Sequence, residues 1–209
     1  MAASDQFAAP TRAFAEAMAG ADTVKVRPTP AAVFEQARAV IHSGKRLDMA
    51  ALAAHVGISR PTLYRWTGDR DRLLADVAWA ELEHLLRYCD EQAKGQGVDR
   101  LERMAGDFLD LLASNVALHA FIANEGNSGE RLATAPNGGV HPRLVAAVRD
   151  IIERDATSGY RPPADPQLLA DGIVALSERW FYHGGDPAMN PDPATARQVI
   201  GLLLREPCC

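Results

Sequence analysis

Residues 49–66 of this chain, MAALAAHVGISRPTLYRW, constrain its fold more than any other segment. Apolar residues with helical spacing lie on both sides of Gly57, and Ala53, four residues earlier, is small enough for a second helix to cross closely. Ser59 follows as a candidate N-cap, and Pro61 is tolerated in the first turn of a helix. The pattern predicts two short helices joined by a tight turn at Gly57, which is the helix-turn-helix arrangement.

One face of the second helix is polar and is not needed for packing against the first helix. Its polar residues are Ser59, Arg60, Thr62, Tyr64 and Arg65. A helix fits the major groove of DNA, where such donors reach phosphates and base edges. We therefore predict that this face contacts DNA, although an ordinary corner in a helical bundle is the alternative. Four nearby cations complete the predicted contact set, namely Lys25, Arg27, Lys45 and Arg70.

The wider segment of residues 30–74 resembles the DNA-binding domain of the tetracycline-repressor (TetR) family. Members usually have a Tyr, an aromatic residue or His, a Phe, a Ser or Asp cap, a Lys, an acidic residue and two Leu. This chain has Tyr64, Trp66, Thr67, Asp69, Arg70, Asp71, Leu73 and Leu74. Thr67 departs from the usual Phe, whereas Arg70 keeps the positive charge of the usual Lys. The resemblance implies a dimeric repressor that a small molecule releases from a palindromic operator.

Charge is distributed unevenly along the chain. The net charge of −5, taken alone, argues against binding to nucleic acid. However, residues 24–74 contain nine Lys and Arg against four Asp and Glu, whereas the remainder contains 13 against 23. A basic segment is attracted to phosphates, and an acidic remainder is repelled by them. The distribution therefore favours DNA binding by the N-terminal part alone.

Hydrophobic periodicity predicts helices along the whole chain and no strands. The predicted helices include residues 31–42, 69–92, 101–112, 116–125, 144–152, 166–182 and 193–204. We predict an all-α protein with a flexible arm at residues 1–29, a helix-turn-helix domain at 30–75 and a ligand-binding and dimerisation domain at 76–209. The arm is either a disordered tail or a segment whose Lys25 and Arg27 touch the DNA backbone or minor groove.

The last two predicted helices carry more apolar surface than one core requires. Residues 166–182 show two apolar stripes, and residues 193–204 add another apolar face. In a monomer this surface would be exposed, and exposed apolar patches usually mark interfaces. We therefore predict a homodimer, and the resemblance implies a four-helix bundle between these helices and their symmetry mates. The predicted interface residues are Val174, Phe181, Val199, Ile200 and Leu203.

A one-component regulator needs an effector site whose occupancy changes the spacing of its two DNA-binding heads. Aromatic, apolar and polar side chains on the C-terminal helices predict an apolar pocket with a few polar groups. The predicted lining is Met104, Phe108, Leu112, Phe121, Asn124, Glu125, Trp180, Phe181, Tyr182 and His183. The alternative is that these side chains fill the core or the dimer interface. The C-terminal region also resembles the lactone-responsive branch that controls quorum-signal degradation.

Enzyme and metal motifs are missing from the sequence. His119, His141, His183 and Glu125 lack catalytic or metal-ligand spacing, and three cysteines are too few for a disulfide framework or zinc site. No apolar run reaches membrane-spanning length, and no secretion signal occurs. We therefore expect a cytoplasmic, non-enzymatic protein that needs no cofactor, metal or membrane. An enzyme with a small-molecule pocket and a helical scaffold that has lost operator binding remain as alternatives.

Overall fold

The computed structural model describes residues 10–18, 28–125, 131, 134, 139–182 and 193–205. These residues form helices and contain no strand, which confirms the predicted all-α fold. The helices are α1 (Arg12–Met18), α2 (Pro30–His42), α3 (Met49–Val56), α4 (Arg60–Thr67), α5 (Arg70–Gln92), α6 (Gly97–Ser114), α7 (Val116–Glu125), α8 (His141–Thr157), α9 (Pro166–Tyr182) and α10 (Pro193–Leu204). From α2 onward their ends lie within a few residues of the positions that the periodicity predicts.

The chain divides into two compact units. The first comprises Met1–Ala80 and Val116–Val140, and the second comprises Glu81–Asn115 and His141–Cys209. The division therefore falls within α5, a few residues beyond the expected boundary at residue 75. Helix α7 groups with the N-terminal helices because it packs on α2, although its place in the sequence suggested the C-terminal domain.

Helix α2 is the centre of the first unit. The hydroxyl of Thr29 accepts a hydrogen bond from the Ala32 amide at 3.1 Å, and Pro30 occupies the first turn, so the helix starts where the sequence supplies a cap. Val33 and Phe34 are fully buried on its inner face. The apolar stripe predicted from the sequence is therefore the face that packs.

Within the expected arm, where the sequence allows one loose helix from about Asp5 to Met18, the described residues 10–18 contain α1 and pack on the first unit. The Thr11 amide and hydroxyl both donate to the Asp76 carboxylate, which is completely buried on α5. Phe14 packs edge-on against Phe34, with ring centroids 5.7 Å apart. Helix α1 thus packs on the first unit through a hydrogen bond to the buried Asp76 carboxylate and a ring contact with Phe34. Lys25 and Arg27 lie outside the described residues.

In the second unit, α10 lies close against α6. A Cβ atom added to Gly106 would lie 2.4 Å from Nε of Arg197, so the flexible Arg197 side chain would have to move to admit a larger residue there. Arg197 donates to Asp110 at 2.6 Å, and Arg205 at the end of α10 donates to Glu102 at 2.6 and 2.7 Å. These ion pairs are largely exposed, so the packing of α10 on α6 contributes more to the stability of the unit than they do.

Helices α5, α6 and α8 meet at a group of charged residues in the same unit. Arg100 on α6 donates to the carboxylates of Asp90 on α5 and Asp155 on α8, and Arg154 also donates to Asp90. Burial raises the pKa of Asp90, but the hydrogen bonds from Arg154 and Arg100 more than offset it, so the pKa is lowered. The Tyr160 hydroxyl also donates to the Leu204 carbonyl at 2.7 Å and caps the end of α10.

Within the described part of the chain, no single helix is long and apolar enough to cross a membrane. Within the ranges that the structure describes, α6 and α7 taken as a pair pass that test by length and composition alone.

Candidate nucleic-acid interface and effector region

The turn between α3 and α4 has the geometry that the sequence predicts. Gly57 lies in the left-handed region at φ 76° and ψ 34°, and the following amide, that of Ile58, donates to the Ala53 carbonyl at 3.0 Å. Non-glycine residues rarely adopt this conformation, so the glycine sets the corner. Ser59 then accepts a hydrogen bond from the Thr62 amide at 3.3 Å and starts α4.

Helix α4 buries one face and exposes the other. Leu63 and Thr67 are completely buried, whereas Arg60, Tyr64 and Arg65 are exposed. Thr62 is half-buried, and its hydroxyl lies 2.9 Å from that of Ser59, while Lys45 is exposed in the link before α3. The outward face is therefore a row of hydrogen-bond donors and an aromatic ring, which suits a DNA groove. Their contact with DNA stays a prediction.

A cleft beside the helix-turn-helix was not identified from the sequence. Its volume is about 240 Å³. Its lining residues are Gln36, Val40, Lys45, Arg46, Leu47, Asp48, Ala51, Leu52 and His55. The carboxylate of Asp48 accepts the Ala50 and Ala51 amides at 2.7 and 2.9 Å, and these bonds lower the pKa of Asp48. An acidic residue just before an apolar helical run is a known cap signal, so the sequence did indicate Asp48 as the cap of α3, although it did not indicate the cleft.

Arg70, a predicted phosphate contact, is already bound within the first unit. Its Nη2 atom donates to both oxygens of Glu125 at 2.6 and 2.7 Å, and its Nε donates to the Leu47 carbonyl at 2.9 Å. Glu125 was predicted to line the effector pocket, but its carboxylate faces this arginine. The neighbouring Asn124, another predicted pocket residue, donates to the Gly44 carbonyl at 2.6 Å. No spacing rule connects residues this far apart in sequence.

The described residues of the second unit line a small, partly open apolar cavity of about 30 Å³. Its lining residues are Leu86, Leu101, Met104, Ala105, Phe108, Val148, Ile151, Ile152, Ile173 and Leu204. A site for a drug-sized molecule typically occupies 300–1,000 Å³, so the cavity holds no such molecule unless its helices separate.

Two of the ten predicted effector residues, Met104 and Phe108, line this cavity. Leu112 is buried elsewhere in the same unit, and Trp180 and Phe181 are half-buried there. Phe121 belongs, with Asn124 and Glu125, to the first unit. The Tyr182 side chain and His183 lie outside the described residues. The predicted group is therefore divided between the units.

The histidines considered as alternatives for catalysis lie in different environments. His119 is exposed on α7, whereas His141 in the second unit lies 2.9 Å from the Glu178 carboxylate and 3.6 Å from Asp171. Burial raises the pKa of Glu178, and the bond to His141 partly opposes that shift. Within the described ranges, no three His, Cys, Asp or Glu side chains are grouped as metal ligands.

The predicted dimer interface needs a correction. Val174 and Ile200 are each 1% exposed within the protomer, because they pack in the core of the second unit and have no surface to offer a partner. Phe181, Val199 and Leu203 are half-buried. The exposed large apolar side chains on α9 and α10 are instead Leu168 at 65% and Leu202 at 73%. Each helix thus exposes a large apolar side chain, and a second apolar face that receives a partner stays a prediction.

Comparisons with known proteins agree with this geometry. A family model described as the C-terminal domain of tetracyclin repressor-like proteins matches residues 96–205, which is more than half of the chain. A comparison with curated sequences finds no significant match. Among solved structures, the chain is similar to the R. erythropolis transcriptional repressor QsdR from the TetR family, with 28% identity and a TM-score of 0.74. That match covers 82% of this chain and 92% of the other. The chain therefore belongs to the TetR family of DNA-binding transcriptional regulators.

Proposed function

We propose that the protein is a homodimeric repressor that binds a near-palindromic operator through α4 and releases it when a small molecule binds the second unit. The exposed face formed by Arg60, Tyr64 and Arg65 carries this proposal, because α4 begins directly after the glycine turn with its donors outward. The similarity to the repressor QsdR supports repression over activation. Two heads on a twofold axis would contact half-sites about 34–36 Å apart, or a multiple of that distance.

Selection of duplexes from a random library tests the operator. We expect the wild-type protein to enrich a near-palindrome. Arg60→Ala combined with Tyr64→Ala should lose that preference, since each good base contact contributes roughly 1–3 kcal/mol of discrimination. Arg87→Ala with Tyr88→Ala is the matched control, because these residues are an exposed Arg and Tyr on α5 in the second unit. Equal enrichment of the near-palindrome by both double variants would contradict the proposal. If the wild-type protein retained no DNA at all, the alternative of a helical scaffold without operator binding would be favoured.

We further propose that the effector enters the cavity beside Met104 and Phe108 and that it is a lactone. The apolar lining suits an acyl chain, and the resemblance of the C-terminal region to lactone-responsive regulators favours this chemical class. The cavity is too small for such a molecule in its present form, so binding requires the surrounding helices to separate. This displacement is a physical basis for coupling between effector and DNA.

N-octanoyl homoserine lactone is a suitable first probe in operator-release and thermal-unfolding measurements. Ala105→Val adds two methyl groups at the cavity wall and should weaken the response while operator affinity stays nearly unchanged. Ala113→Val makes the same change at an exposed position of α6 and should keep the response. If an active lactone releases both variants alike, the effector binds elsewhere. Conversion of the lactone to product would instead identify an enzyme.

A further inference from the structure

The pair formed by Arg70 and Glu125 joins the start of α5 to the end of α7 inside the first unit. The Glu125 side chain is 3% exposed, and it receives two hydrogen bonds from one guanidinium nitrogen. The Arg70 side chain keeps 23% exposure, and its Nη1 lies 3.8 Å from exposed Asp71. A buried carboxylate without a partner is strongly unfavourable, so Glu125 holds this arginine firmly.

A guanidinium that already binds a carboxylate presents little net positive charge to DNA. Carboxylate and phosphate oxygens use the same N–H donors, so the two anions compete for them. We propose that Glu125 restrains DNA binding by occupying Arg70, which becomes a full phosphate contact when that pairing loosens. The inference rests on the proposed DNA binding and assigns Glu125 as a positioning residue for it.

Glu125 ends α7, the helix that follows α6 along the chain. Asn124 fixes the same end of α7 by donating to the Gly44 carbonyl at 2.6 Å. Helix α7 follows α6 after the single residue Asn115, and α6 supplies Met104 and Phe108 to the cavity. Along the chain, only Asn115 therefore separates the helix that lines the cavity from the helix that ends at Glu125.

Glu125→Gln tests the competition, because it removes the charge and keeps the shape. The probe is a fluorescein-labelled 30-base-pair duplex of random sequence, titrated over a salt series, since phosphate contacts do not depend on sequence. We expect about fivefold tighter binding at low salt and a slope of log affinity against log salt steeper by about 0.9 per head. Glu35→Gln removes an exposed charge from the same unit and is the matched control. Because Glu35 lies 3.9 Å from Arg38, its effect gives the contribution of net charge together with the release of an ordinary exposed arginine.

The gain must depend on Arg70. The double variant Arg70→Gln with Glu125→Gln should bind like Arg70→Gln, which a purely structural effect would not produce. Glu125→Asp withdraws the carboxylate while keeping its charge and should give a smaller gain, which tests the proposal if Glu125→Gln folds poorly. Weaker DNA binding by Glu125→Gln would overturn the proposal. An affinity and a salt slope equal to those of Glu35→Gln would also overturn it. Because the duplex is random, this result is independent of whether an operator is found.

Discussion

At the scale of single residues, two glycines show how backbone conformation decides the effect of a methyl group. Gly57 has a positive φ at the corner before α4, and a Cβ there would meet nothing within 4 Å. Gly172 lies inside α9 with equally open space and no positive φ. The two positions therefore differ in backbone strain but not in steric room.

Gly57→Ala should lower the free energy of unfolding by about 1–2 kcal/mol, the penalty for a left-handed L-residue. Gly172→Ala should raise it by up to about 1 kcal/mol, because alanine favours a helix interior. Urea unfolding of the two variants and the wild type measures both values. Changes of the same sign would contradict the role given to the positive φ of Gly57.

Thr67 departs from the residue that is usual at this position in the family, and its hydrogen bonding explains how the change is tolerated. It replaces the Phe that is usual in the family and is completely buried, and its hydroxyl donates to the Leu63 carbonyl at 3.0 Å. The buried polar atom is thus satisfied within its own helix. The smaller side chain is accommodated without an unpaired hydroxyl.

At the scale of helices, the charged group formed by Asp90, Arg100, Arg154 and Asp155 stabilises the contact of α5, α6 and α8. The pKa of Asp90 is lowered below its usual value of 3.8. A carboxyl group whose pKa is lower in the folded than in the unfolded protein stabilises the fold at pH values above its unfolded pKa. This stabilisation is lost as pH falls through the folded pKa. The contribution is therefore present at neutral pH and is lost progressively as pH falls below the usual value of 3.8.

Asp90→Asn should lower the free energy of unfolding at pH 7 by about 1.5–3 kcal/mol, the range for hydrogen bonds to charged groups. The variant should also lose stability less steeply than the wild type as pH falls below the usual carboxyl pKa of 3.8. Asp110→Asn removes an exposed partner of Arg197 and is the control, with little expected change. Unfolding curves measured at several pH values provide the comparison. Parallel pH dependence in all three proteins would contradict the role of Asp90.

At the scale of the whole molecule, a partner copy would cover the exposed leucines of α9 and α10. Leu168→Glu with Leu202→Glu should therefore shift the protein towards monomer while the second unit stays folded. Ile200→Asp should instead unfold that unit, since it puts a charge into the protomer core. Met18→Glu replaces an exposed apolar residue in the first unit and serves as the control. Light scattering and circular dichroism distinguish these results, and a dimer that persists in the leucine variant would exclude this interface.

The sequence by itself determined the helices, the glycine turn and the outward face of α4. These features depend on residues within one or two helical turns of each other, where periodicity, caps and backbone preferences operate. The same short-range signals sufficed for recognising the family from residues 30–74. They also predicted surplus apolar surface on the last two helices, whose role in a dimer stays a prediction.

Only the tertiary structure decided which residues meet across long stretches of chain. Arg70 pairs with Glu125, Thr11 with Asp76, and α7 packs with the N-terminal unit. It also decided that Ile200 is core and Leu202 is surface, although both are apolar residues of one helix. Periodicity shows that a helix has apolar faces, but the packing of other helices selects which face is covered, because burial depends on neighbours that sequence spacing does not specify.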